Sequence, residues 1–298
     1  MQNYMANTSR KLLIKRIVII LLCLALFVGA FSGALYFYQN DRTQRSANLN
    51  FGDDKEPNRI NVAVSLLGVD PIKSEINLRF VPSPEGTYLK DARLTKELKF
   101  FTGIESGKAE VTLEKNRIPD AVTGSLSIAS GRVSDYPFDV HSSDFYLFFT
   151  NPKDEKEDIP MSVDFYGAIS GYNIDVDYIP KAEFESTDSY IGLRVTVSRS
   201  IITKSFSIFL MIAMWLIGLV IFTMTMIVVW QPRPIEFGMF TLIAGMLFAL
   251  PAVRNLQPSV PPLGGLSDFL SFFWAESLVA VSMPILFFTW LTRYKKPS

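Results

Sequence analysis

With 298 residues, the chain has room for one sizeable domain and several membrane helices, but not for two large domains. Its 29 basic and 29 acidic residues cancel, so it carries no global field suited to nucleic acid. Cys23 is the only cysteine and His141 the only histidine, which excludes an intrachain disulfide and a two-histidine metal site.

The first long apolar run covers residues 17–38. About twenty apolar residues match the hydrocarbon thickness of a bilayer. Arg10, Lys11, Lys15 and Arg16 precede this run. Ser32-Gly33-Ala34 resembles a signal-peptide cleavage site, yet the apolar stretch continues through Leu35, Tyr36 and Phe37. The run therefore reads as a retained anchor rather than a cleaved signal, with Tyr36 and Tyr38 at the outer interface. Residues 39–58 are polar and read as a linker.

Period-2 patterns follow. Ile60, Val62, Val64 and Leu66 form one alternating set, and Ile76, Leu78 and Phe80 a second. Later sets are Phe145/Leu147/Phe149, Met161/Val163/Phe165, Ile174/Val176/Tyr178 and Ile191/Leu193/Val195/Val197. Short alternating strands punctuated by Pro, Gly, Asn and Asp predict a β-sandwich. The last strand is expected over 190–198, with residues 199–205 leading into the second apolar run.

Three more apolar runs follow, at 206–230, 237–253 and about 269–291. The fold class is thus membrane α plus all-β: four transmembrane helices, with an external β-sandwich inserted between helices one and two. The expected division is 1–38 (cytoplasmic N-terminus and anchor), 39–204 (external sandwich) and 205–298 (three-helix bundle with a short tail). Four crossings put the N-terminal basic cluster, Arg233, and Arg293, Lys295 and Lys296 on one side. The positive-inside rule makes that side the cytoplasm. An outward domain without disulfides, and a sole sequon at Asn7 on the inner side, suit a bacterial inner membrane.

The residues offer no catalytic, cofactor-binding or metal-ligating constellation: no Gly-x-Ser-x-Gly, no phosphate-binding glycine loop and no dinucleotide fingerprint. Asp53-Asp54 and Asp175/Asp177 match no calcium-loop spacing and read as solvated charge. Glu276 lies inside the last apolar run, where a carboxylate needs a partner or water. Arg254, at the end of the third run, is expected to pair with it as a structural clamp; the alternative is a proton- or ion-responsive site. Gly218, Ala244 and Gly245 permit close helix approach, and Pro284 is expected to kink the last helix.

The sharpest local motif is Tyr136-Pro137-Phe138-Asp139. With Val140-His141-Ser142-Ser143 it resembles the aromatic-Pro-Phe-Asp loop of pentameric ligand-gated ion channels, which lies between a β-sandwich and the membrane. As in bacterial members, the paired cysteines are replaced, here by Ala129 and Ser143. The order of sandwich, helix, short turn, helix, Pro-containing loop and helix also agrees. The chain departs from that pattern in lacking a helix after residue 298 and in carrying one before the sandwich. Its pore-helix equivalent, 237–250, has Thr241 as its main polar residue, which offers little for a hydrated pore.

The chain as a whole looks more like a second group, four-helix membrane proteins catalogued as domain of unknown function four-four-three-six. The resemblance rests on Tyr136-Pro137-Phe138-Asp139, on Leu250-Pro251-Ala252-Val253-Arg254-Asn255, on Gln257-Pro258 and Pro261-Pro262, and on Phe272-Phe273-Trp274. It covers roughly residues 60–292 and implies architecture without an activity. The expected function is non-enzymatic recognition of a ligand or partner at the outer membrane face; the alternative is a channel subunit of pentameric type. The implied partners are the lipid bilayer, and a second copy or another membrane protein, not nucleic acid. The Tyr136–Asp139 loop is expected either to wedge against the outer helix ends around 254–262 or to plug the sandwich core as a turn without membrane contact.

Overall fold

The computed structural model describes residues 17–18, 21–22, 24–25, 28–29, 31–33, 35–36, 38–39, 46–52, 55–154, 157–180, 190–231 and 233–294. Where described, residues 17–39 are helical. They belong to a unit of their own (1–44), separate from the unit formed by 45–298. Asn7, Arg10, Lys11, Lys15, Arg16, Cys23, Asp53, Asp54, Lys295 and Lys296 lie outside the described residues.

Thirteen named strands run from β1 (Ser46–Gly52) to β13 (Tyr190–Arg199) among the described residues. The others are β2 (Ile60–Asp70), β3 (Glu75–Pro84), β4 (Leu89–Lys90), β5 (Arg93–Leu94), β6 (Leu98–Phe101), β7 (Ser106–Gly107), β8 (Glu110–Leu113), β9 (Val122–Ser127), β10 (Val140–Thr150), β11 (Met161–Ala168) and β12 (Tyr172–Ile179). The main ones form two sheets, ordered β1-β11-β2-β3-β9-β7 and β12-β13-β10-β6-β8, with β4 and β5 pairing separately. Every named pairing is antiparallel except that of β2 (Ile60–Asp70) with β11 (Met161–Ala168). Alternation explains the core. Ile60, Val62 and Val64 from β2 and Leu193, Val195 and Val197 from β13 all point inward and are fully buried. Phe80, Phe100 and Phe145 meet edge to face in the middle, the arrangement that aromatic quadrupoles favour.

Two expectations need correction. Residues 46–52 are not linker but the edge strand β1, zipped antiparallel onto β11. Its sequence, SANLNFG, is too polar to show a period, and backbone pairing supplies what the side chains do not. The expected spacer over 199–205 is also absent. Strand β13 runs to Arg199, and helix α1 (Ile201–Trp230) begins after the single residue Ser200. Ser200 caps that helix by accepting a hydrogen bond from the Thr203 N–H at 3.3 Å. The polar Thr203-Lys204-Ser205 first turn hid the helix start from a reading of apolar runs.

Among the described residues, three segments are long and apolar enough to cross a membrane: α1, α2 (Phe237–Asn255), and 268–293, which is α3 (Phe273–Arg293) preceded by a π-turn (Asp268–Phe272). Pro251 and Pro284 lie inside α2 and α3 respectively. Met214, Ile221, Ile243, Leu250, Ala275, Val279 and Leu286 form the bundle core. Gly218 of α1 lies so close to α3 that an added Cβ would be 3.0 Å from the Ala275 Cα, whereas Gly245 has open space around it. At the far end, Arg293 donates to the carbonyls of Val228 (2.7 Å) and Val229 (2.8 Å), satisfying the open end of α1 with a cation.

Candidate functional site at the sandwich–bundle junction

The strand registers bring the site together. His141 pairs with Val197 across β10 (Val140–Thr150) and β13, so one step further Asp139 faces Arg199. On the other side of β13, Tyr172 of β12 (Tyr172–Ile179) pairs directly with Arg199. Arg199 also continues the inward row of Leu193, Val195 and Val197, which drives its side chain into the protein. It is 2 % exposed, and Asp139 and His141 are each 1 % exposed.

A buried arginine needs compensation, and three neighbours supply it. Its Nε donates to both carboxylate oxygens of Asp139 at 3.0 Å. The guanidinium carbon lies 4.7 Å from the Tyr172 ring centre and 5.0 Å from that of Tyr136, within cation–π range of each. His141 completes the set, its Nε2 donating to Asp139 Oδ2 at 2.9 Å. Gly131 makes room for that imidazole: at φ +109° it adopts the left-handed region, and a Cβ there would strike the His141 ring and the Val140 carbonyl.

Burial alone raises the pKa of the Asp139 carboxyl. The hydrogen bond from His141 and the charge and hydrogen bonds of Arg199 outweigh it, and hold the group below the ordinary aspartate value. Burial pushes the Tyr136 and Tyr172 phenols upward, so both stay protonated and able to donate.

Tyr136 carries the network into the helices. Its peptide bond to Pro137 is cis and its ring is fully buried. The hydroxyl shares a hydrogen bond of 2.7 Å with the Ser207 Oγ of α1 and donates to the Pro258 carbonyl of the α2–α3 hairpin at 2.9 Å. Phe138, the other aromatic of the loop, is 47 % exposed. Thr203 of α1 donates in turn to the Gly171 carbonyl at 3.1 Å. Sheet, loop, α1 and hairpin thus meet through directed bonds.

The hairpin is braced by a different pair from the one expected. Arg254 does not reach Glu276. It binds Asp268 through two parallel bonds of 2.8 Å and donates to the Pro261 carbonyl at 2.7 Å. Asp268 also accepts the Gly264 N–H at 2.9 Å. The reason is reach: the hairpin folds Asp268 back onto the end of α2, and a fork-to-fork geometry takes up both carboxylate oxygens. Glu276 lies further along in α3, where its Oε2 is buried without a partner among the described residues.

Reading along the sequence missed Arg199, the central cation, because it was assigned to a connector. Its parity with Val195 and Val197 was the available signal. Asp175 and Asp177 stand on β12 opposite Thr196 and Arg194. Among the described residues, no three His, Cys, Asp or Glu side chains gather as metal ligands.

Residues 50–197 match the family model described as Domain of unknown function (DUF4436), and residues 199–293 match the one described as Domain of unknown function (DUF8686). No curated protein matches the chain. The two matches meet at the junction, with Asp139 and Tyr172 in the first and Arg199 opening the second.

Proposed function

From a chain built of a DUF4436 domain followed by a DUF8686 domain, we propose a non-enzymatic membrane protein whose outward sandwich recognises a ligand or partner and transmits the event to its helices. The observation that carries this reading is the double attachment of Tyr136, to α1 through Ser207 and to the α2–α3 hairpin through Pro258. Any shift of β10 against β13 must move or break the Asp139–Arg199 bonds, and Arg199 is one residue from the α1 cap. A flexible stalk would not couple the two parts; a one-residue connection does. Asp139 and His141 are each almost wholly buried, which supports transmission over catalysis.

In this reading the protein is integral to a bacterial inner membrane, with both termini cytoplasmic and residues 39–204 outside. A reporter fused after α3 that reads as external would reverse the layout. The coupling is tested by cysteine pairs between the loop and the hairpin. Gly265 is suitably placed, since a Cβ there would lie 3.5 Å from the Ser134 carbonyl. Ser134→Cys with Gly265→Cys, and neighbouring pairs, should crosslink readily in membranes. Uniform failure would separate the loop from the helices and sink the reading.

One observation favours a channel subunit of pentameric type as the second reading. Helix α2 presents large apolar side chains outward, with Phe237 and Phe248 each more than four-fifths exposed, as a helix awaiting neighbouring copies would. The mass of the detergent-solubilised protein decides between the two: a pentamer supports the channel, a monomer the receptor.

A further inference from the structure

A cleft of about 460 Å³ opens where β12 and β13 meet the start of α1, walled by Tyr172, Arg199, Ile202, Thr203, Phe206 and Pro258. Two independent features of this cleft favour the same chemistry. Arg199 commits its Nε to Asp139, but neither Nη has a hydrogen-bond partner among the described residues, although the side chain is 98 % buried. These Nη groups keep donor capacity to offer, and the cleft is the space that this side chain lines. The second feature is the N-terminus of α1. The N–H of Thr203 is taken by the Ser200 cap, while those of Ile201 and Ile202 belong to the first turn and have no intrahelical acceptor. The positive end of a 30-residue helix dipole lies at the same place.

Below these donors the wall turns apolar. Phe206 lines the cleft, and the next turn of the membrane-spanning helix carries Phe209, stacked on it with ring centres 6.4 Å apart. Both rings are exposed on the surface of the bundle. The site therefore has an anion-binding head and an aromatic track running down the membrane span.

We propose that this cleft binds one membrane phospholipid, its phosphate on the Arg199 Nη groups and the first turn of α1, and an acyl chain along Phe206 and Phe209. Because the Arg199–Asp139 pair is neutral overall, the site relies on directed donors rather than net charge. It therefore takes the phosphate common to anionic and zwitterionic lipids. The same arginine holds Asp139, so an occupied site braces the junction. The inference needs the membrane setting but not the recognition role, and survives if that role is wrong.

The test is native mass spectrometry of the full chain released from nanodiscs of phosphatidylglycerol, of phosphatidylcholine, and of phosphatidylcholine doped with diacylglycerol. A single phospholipid should stay on each chain in the first two, and diacylglycerol should not. Ser170→Trp fills the cleft from an exposed position without touching the Arg199–Asp139 pair. It should lower retention by about tenfold or more while leaving the unfolding temperature in lipid-free detergent unchanged. Arg199→Lys, which removes the open Nη pair, should also lower retention. Equal retention of diacylglycerol would mean that no phosphate is read, and would overturn the proposal. So would undiminished retention in Ser170→Trp. Stabilisation by inorganic phosphate that phospholipid cannot displace would assign the donors to a free anion and overturn the lipid assignment.

Discussion

Arg199 and Asp139 face each other across the β10–β13 ladder, with the arginine Nε 3.0 Å from both carboxylate oxygens. Both are almost fully buried, so removing one strands the other's charge. We expect Asp139→Ala and Arg199→Met each to lower stability by about 3–5 kcal/mol, the usual cost of breaking a buried pair from one side. The double variant should be less damaged than the sum of the two. Denaturant unfolding in detergent gives all three values. Simple additivity would show that the residues are neighbours rather than partners.

The same pair sets a pH dependence. The folded Asp139 carboxyl titrates below its unfolded value, so the unfolded chain binds the proton more readily. Its contribution to stability is complete above about pH 5 and is lost as the pH falls past the ordinary aspartate value of about 4 and through the lower folded value. The unfolding temperature should drop over that interval, and Asp139→Asn should flatten the drop. An unchanged acid limb in that variant would move the cause to another carboxylate.

The strands with strict alternation, such as Ile60/Val62/Val64 and Leu193/Val195/Val197, were legible because each places a full row of apolar side chains on one face. The three long bundle helices were legible by length. Edge strand β1 was not, since hydrogen bonds to β11 hold it and its side chains advertise nothing. The site was half legible. Tyr136 to Asp139 stood out as a motif, but Arg199 disappeared into an assumed connector. The partner of Arg254 depended on how a hairpin closes, and no spacing rule chooses between Asp268 and Glu276.

Arg254 and Asp268 form the second buried clamp, at the hairpin under the sandwich. Arg254→Ala leaves the Asp268 carboxylate with backbone donors only and should cost about 3–5 kcal/mol. Adding Asp268→Asn should recover part of the loss, whereas adding Glu276→Gln should not. Thermal unfolding of the three variants separates the cases. Recovery through Glu276→Gln would place the functional partner of Arg254 in α3, against the geometry.

Gly218 tests how the bundle is held. In a membrane, helices gain little from burying apolar surface and depend on close approach instead. A Cβ on residue 218 would lie 3.0 Å from the Ala275 Cα and 3.1 Å from its carbonyl oxygen, both backbone atoms that cannot swing away. Gly218→Ala should therefore cost about 1–3 kcal/mol, and Gly218→Leu more, by prising α1 from α3. Gly245→Ala is the control: nothing lies within 4 Å of its added Cβ, so it should unfold like the parent chain or slightly later, since alanine favours the helix. A shift of α1 would also strain the Tyr136–Ser207 bond, so Gly218→Leu should weaken crosslinking between residues 134 and 265 while the far-ultraviolet dichroism of the β-sheets persists. Equal tolerance at 218 and 245 would mean that α1 and α3 are not packed backbone to backbone.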